Sequence, residues 1–281
     1  VSSAFPPRLP VFSGGDRFPL PVSAALVSLE QPSGAEEVLL AEHAPEDPRL
    51  TLQLVERLAR GETGPGIPLN WAALTVTDID TLIVRLRQML TGDRIIAEMS
   101  CASPACGGRL DISFSLDEYL RHHLSVPRRR GWSAAPCADA PGWHILRENG
   151  VDEARFRLPT LADEIAVHGL PDAMDALTSR CIRLQSTRAR TRARVETAME
   201  ALAPSLAGPL QGQCPECGAP VAAQFEARLY CLRELRDRAR FVYDDVDILA
   251  ERYHWSERVI LDLPRARRLQ YAERARRGLA A

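Results

Sequence analysis

Seven cysteines carry most of the chemistry in this chain, and four of them fall into two close pairs. Cys101 and Cys106 enclose Ala-Ser-Pro-Ala, and Cys214 and Cys217 enclose Pro-Glu; each pair ends in Cys-Gly, at Gly107 and Gly218. Glycine there permits the positive φ of a tight turn, which lets backbone N–H groups point at the thiolates. Two such knuckles with two thiolates each supply the four soft ligands that tetrahedral zinc takes. A zinc site of Cys101, Cys106, Cys214 and Cys217 is structural in character, because four thiolates leave no open position for substrate or water. The competing reading is a ribbon that has lost its metal and keeps unpaired thiols in its core. Cys137 lies in a Pro/Gly-rich stretch and reads as a bystander, while Cys181 and Cys231 lie in helical patterns and read as buried free thiols. The odd count, with no apolar signal-type run in Val1 to Gly15, points to a reducing compartment rather than a disulfide framework.

The segments that must position these thiols alternate in polarity. Leu110, Ile112 and Phe114 fall four, six and eight residues after Cys106, and Val221, Ala223 and Phe225 fall at the same offsets after Cys217. Ile95, Ala97 and Met99 alternate ahead of the first knuckle. Period-two alternation predicts half-buried strands, so each knuckle is expected on β-structure. The two knuckles are separated by 107 residues. Closing such a loop costs on the order of 4 kcal/mol, whereas structural zinc is worth about 10–16 kcal/mol in small peptides. A metal can therefore rivet distant parts of one chain.

The rest of the chain supplies the frame. Residues 1–23 read as an extended N-terminal arm, and 24–126 as an α/β segment carrying the first knuckle. Within it, Ala25 to Leu29 and Val38 to Ala41 read as two strands. Leu50, Leu54 and Leu58 mark a short helix ended by Gly61, and Gly64 to Pro68 a loop. Ile79, Leu82, Ile83, Leu86 and Met89 form a clear helical stripe, with Thr77 or Asp78 as its cap and Gly92 as its stop. Residues 127–150 read as a linker containing Arg128, Arg129 and Arg130. Residues 151–207 read as a helical insert, with Met174, Leu177, Cys181 and Leu184 on one helix and Val195, Met199 and Leu202 on another. Residues 208–227 carry the second knuckle and strand, and 228–281 the C-terminal helices, with Trp255 and Ile260 at hydrophobic-staple positions around Ser256. The expected fold class is mixed α+β, helix-rich, with a discontinuous four-cysteine zinc-ribbon-like β unit and a helical insert.

Composition narrows the function. Hydrophobic residues make up 46% of the 281 and the formal net charge is −2, which excludes whole-chain disorder. No apolar run approaches the roughly 20 residues a bilayer span needs, so no membrane partner is expected. All 35 basic residues are arginine, yet 37 acidic residues balance them, so a dedicated nucleic-acid surface is not expected. A zinc-ribbon nucleic-acid adaptor using Arg128 to Arg130 and Arg188 to Arg194 is the alternative reading. No phosphate-binding, dinucleotide or hydrolase motif is present, and His122-His123 reads as helix surface. The expectation is a protein that is not an enzyme.

Several segments together resemble a known family. Leu74-Thr75-Val76-Thr77-Asp78, the helix from Ile79 to Leu90 with Arg85 and Arg87, Gly92-Asp93 and the knuckle from Cys101 to Gly107 follow one another in order. Phe156-Arg157-Leu158-Pro159-Thr160 with Asp163 comes next, and then Leu249 to Tyr271, with Tyr253-His254-Trp255-Ser256-Glu257, Leu263-Pro264 and Arg267-Arg268. This order resembles the baseplate hub and hub-assembly proteins of contractile-tailed phages of the T-even type and of phage-like contractile injection systems. The resemblance covers residues 20–281. It implies a structural or assembly role, with Cys101, Cys106, Cys214 and Cys217 holding zinc. The implied partners are other baseplate or tail hub proteins, with a homo-oligomer possible inside a symmetric assembly. The implied location is the cytoplasm during assembly and, for a resident component, the baseplate of the finished particle.

Overall fold

A computed structural model describes residues 15–64, 67–124, 133–148, 151–185 and 189–279, and its architecture is mixed α+β. At the start, β1 (Phe18–Pro19), β2 (Leu26–Leu29), β3 (Ala59–Gly64) and β4 (Ile67–Pro68) form an antiparallel sheet in that order. Two helices fill the connection from β2 to β3. The first, α1 (Gly34–Glu42), occupies the segment expected as the strand Val38 to Ala41. The reason is local: Ser33 accepts the Ala35 N–H, and Glu36 reaches back to the Ser33 N–H at 2.9 Å, a capping box that starts a helix ahead of the apolar run. The second, α2 (Pro48–Leu58), begins on an Asp47 cap and buries Leu50, Leu54 and Leu58 as expected. It stops at Leu58 rather than Gly61, because Ala59 to Gly61 already pair with β2.

The long helix α3 (Val76–Thr91) buries Ile79, Leu82, Ile83 and Leu86 and ends on Gly92 at φ +86°. Its cap is Thr75, two or three residues earlier than the expected Thr77 or Asp78. That frees Asp78 to accept the N–H groups of Val22 and Ser23 at 2.8 and 3.1 Å, which ties the arm to the helix, while Thr77 donates to the Pro204 carbonyl. The chain then enters β5 (Arg94–Ser100), β6 (Arg109–Ser115) and α4 (Leu116–Leu124).

The stretch 127–150, expected as a linker, carries strands. β7 (Ser133–Pro136), β8 (Trp143–Glu148), β9 (Val151–Arg157) and β10 (Ile182–Leu184) build a second four-stranded antiparallel sheet in the order β10-β9-β8-β7. Pro141 and Gly142 belong to a hairpin turn: Gly142 sits at φ +81°, and the Cys137 N–H closes onto the Trp143 carbonyl at 2.8 Å. The insert 151–207 is accordingly helix on sheet rather than all-helical. It holds α5 (Leu161–Val167), α6 (Ala173–Cys181) and α7 (Ala189–Leu202), and Leu184 lies on β10 instead of extending α6. Val195 and Ala198 of α7 pack on Leu146, Ala154 and Phe156 of the sheet. Arg128 to Arg130 and Arg188 lie outside the described residues.

The second knuckle is carried by β11 (Ala207–Gln213) and β12 (Pro220–Glu226), followed by α8 (Ala227–Ala239), α9 (Val242–Tyr253), α10 (Glu257–Leu261) and α11 (Arg265–Leu279). The main core joins α1 to α4, β2 and α8 through Val27, Leu54, Ile79, Ile83, Leu116 and Leu232. A smaller core under the last three helices centres on Leu249, Ile260 and Ala272, with Trp255 against it.

Candidate metal centre

The two knuckles sit on hairpins of matching construction. Seven residue pairs join β5 to β6, from Arg94↔Ser115 to Ser100↔Arg109. Seven also join β11 to β12, from Ala207↔Glu226 to Gln213↔Pro220. At the open ends, the Leu116 N–H meets the Asp93 carbonyl at 3.0 Å and the Ala227 N–H meets that of Leu206 at 3.1 Å. At the tips, Cys101 N–H bonds Gly108 and Cys214 N–H bonds Ala219, each at 2.8 Å. Gly107 and Gly218 take φ of +56° and +70°, where a side chain would strain the backbone. The first knuckle is two residues longer, which the turn absorbs without changing the strand register.

These hairpins face each other. Leu110 and Val221 are buried between them with the cysteines, and Phe114 meets Phe225 edge to face at 5.2 Å between centroids. The matched offsets in the sequence are thus matched positions on two opposed surfaces. Facing brings all four thiols together: Cys101 Sγ lies 3.7 Å from Cys217 Sγ, Cys106 Sγ lies 4.0 Å from Cys214 Sγ, and all four sulfurs fall within 4.8 Å of one another. Sulfurs at about 2.3 Å from a tetrahedral ion stand about 3.8 Å apart. The four cysteines are therefore close enough to hold one metal ion between the hairpins.

Backbone N–H groups tune the cluster. Those of Cys217 and Glu216 point at Cys214 and lower its thiol to about 7. At Cys106 the Gly108 N–H favours the thiolate, but contact with Cys217, burial and contact with Cys214 outweigh it and push that thiol up to about 12. A cation is held by thiolates rather than thiols, so metal uptake is expected to liberate protons. The other three cysteines stay apart from the cluster. Cys181 and Cys231 are buried as expected; Cys137 is buried too, with its Sγ donating to Asp139 at 2.8 Å.

Three arginine–carboxylate networks were not legible in the sequence. Arg87, almost fully buried, forks onto Glu234 with two 3.0 Å bonds and also holds the Gly92 and Arg94 carbonyls, so it anchors the root of the first hairpin to α8. Arg268 is fully buried between Glu37 of α1 and Asp245 of α9, with Arg265 on Glu37 and Arg276 on Asp245. Arg228 donates to Glu164 with two 2.8 Å bonds and lies 3.2 Å from Asp80.

Asp80 yields a pH prediction. Its buried carboxyl faces Arg228, Glu164 and Glu226, and also Tyr119 and Cys231. Desolvation, opposed by Arg228 and reinforced by the two glutamates, pushes it from 3.8 up to about 6. A carboxyl that holds its proton more tightly when folded gives stability that is complete below its unfolded pKa and is lost as pH rises through about 6. Two pKa units correspond to about 3 kcal/mol. Asp80→Asn is expected to raise stability by about 2–3 kcal/mol at pH 8, with a gain that shrinks below pH 6. Urea midpoints across that range check this, and a loss at pH 8 would mean that pairing with Arg228 outweighs the burial.

The chain matches no family model, no curated protein and no solved structure. No described helix is long and apolar enough to cross a membrane.

Proposed function

We propose that this chain is a structural or assembly protein of the baseplate of a contractile phage tail or phage-like injection system. In this reading a zinc ion bound by Cys101, Cys106, Cys214 and Cys217 completes a discontinuous zinc ribbon. The observation that supports the zinc is the set of four sulfurs, all within 4.8 Å of one another, on two opposed hairpins. All four ligand positions are thiolates, so the ion rivets and does not react.

The baseplate half rests on the resemblance, whose segments pack within the fold as follows. Leu74 to Asp78 and Phe156 to Asp163, distant in sequence, lie side by side: Val76 N–H bonds the Pro159 carbonyl and Leu161 N–H bonds that of Leu74, both at 3.1 Å. Asp163 completes a capping box with Thr160 while Arg157 and Arg180 hold it. These cations and the Thr160 bonds outweigh desolvation and keep its carboxyl well below the usual range. In the third segment, Tyr253 stacks on Trp255 at 4.9 Å and Tyr271 meets Trp255 edge to face. The nucleic-acid alternative is weaker here, since Arg192 and Arg194 pair with Glu196 and Glu153.

The test is mass spectrometry of purified contractile particles beside a tagged pull-down from lysate. A fixed stoichiometry in particles makes the chain a baseplate component. Tail proteins in the lysate pull-down alone make it an assembly factor. Absence from the particles and no tail protein in the pull-down would remove the baseplate reading and leave the metal site standing.

A further inference from the structure

A cleft of about 340 Å³ opens where four elements meet: the start of α2, the end of α5, the start of α6 and the junction of β12 with α8. Its apolar walls are Pro48, Val167, Leu177 and Leu229, and Met174 stands beside them with 75% of its surface exposed. Leu170, three residues before α6, is 46% exposed. An unbranched, polarizable methionine at a cleft edge suits a surface that moulds itself to an incoming side chain.

The charge around this cleft is one-sided. Arg228 is the cation in its wall, and it is already engaged by Glu164 and Asp80. Glu226, also in the lining, is exposed, so three carboxylates surround one guanidinium. Glu46 is matched by Arg233 at 2.6 Å, and His168 lies 4.0 Å from Asp47. The excess is negative, so the cleft favours an added cation.

We propose that this cleft is the docking site for a segment of a partner protein that inserts an apolar side chain and sets a lysine or arginine beside Glu226 and Glu164. The apolar anchor takes the space between Val167, Leu177 and Leu229, Met174 closes over it, and the cation offsets the surplus carboxylate. The proposal goes beyond the baseplate reading and does not depend on it, because any protein partner with this chemistry would fit.

The chain's four methionines make a direct readout: Met174 reports the cleft, while Met89, Met99 and Met199 lie in other parts of the fold. The full chain, isotope-labelled at the methionine methyls, is titrated with a short amphipathic helical peptide bearing leucines on one face and arginines beside them. A second peptide carries glutamate in place of each arginine. The expected result is a saturable shift of the Met174 signal, with affinity about tenfold weaker for the glutamate peptide, a difference of about 1.4 kcal/mol. Glu226→Gln and Leu177→Ala should each weaken the arginine peptide while the other methionine signals stay in place. Equal response to both peptides, no response at Met174, or a response centred on Met89 would overturn the proposal. So would a Met174 shift that depends on protein concentration without peptide, which would place a second copy of the chain in the cleft.

Discussion

Exchanging Cys214 for serine is expected to release the metal and lower the melting temperature by about 8 °C or more. Cys214 is 3% exposed and lies 4.0 Å from Cys106, so its loss removes one corner of the four-sulfur set and leaves the hairpins joined only by their apolar faces. A metal bound there would clamp a span of 108 residues between Cys106 and Cys214. Holding such a loop shut is worth on the order of 4 kcal/mol. In a chain of this size each kcal/mol moves the melting temperature by about 2–4 °C. Metal content by elemental analysis and a thermal scan read the two parts separately. One zinc per chain in the parent, a fraction of that in Cys214→Ser, and full metal in a Cys137→Ser control are expected. Full metal with an unchanged melting curve in Cys214→Ser would overturn the clamp. A chelator should reproduce the effect of the substitution, and added zinc should reverse it.

The other large effect belongs to Arg268. Its side chain is wholly buried and joins α11 to Glu37 on α1 and Asp245 on α9. The guanidinium also lies against Gly34, where an added Cβ would stand 2.7 Å from Nη1. Arg268→Met keeps most of the volume and removes the charge, leaving two buried carboxylates facing each other with only Arg265 and Arg276 at their edges. Breaking a buried pair from one side costs about 3–5 kcal/mol. Burial already pushes the Glu37 carboxyl up, with Arg268 and Arg265 opposing it. Without Arg268 that carboxyl takes up a proton more readily, so the variant's deficit should be largest at high pH and shrink as pH falls. Adding Glu37→Gln to Arg268→Met should recover part of the loss, since the two residues share one network. Urea titrations of the single and double variants measure this, and strict additivity would remove the coupling.

What the sequence disclosed, and what it hid, follow from the range of the interactions involved. The four thiols, their glycines and the alternating arms are local patterns, and each landed on its hairpin. The stripe of α3 was legible for the same reason. The turn at Pro141-Gly142 hid two strands because its residues are also those of a linker. Val38 to Ala41 was ambiguous as a short apolar run, and the Ser33 to Glu36 capping box decided it. The arginine networks had no signature at all. Arg268 and Glu37 are 231 residues apart, and nothing in their spacing marks one of 35 arginines as buried. The cleft beside Met174 is assembled from four elements and was equally invisible.

The separation of the two hairpins also sets a timetable for the growing chain. Ribosomes extend a chain at about 5–20 residues per second, so the second pair of thiols follows the first by roughly 5–20 s. Through that interval the first hairpin presents two thiols, an unmatched Phe114 and an open apolar face, with its opposing surface not yet made. Arg268 reaches Glu37 later still. The earlier-made hairpin therefore waits for the later one, and an apolar face left open through that interval favours non-native contacts during synthesis.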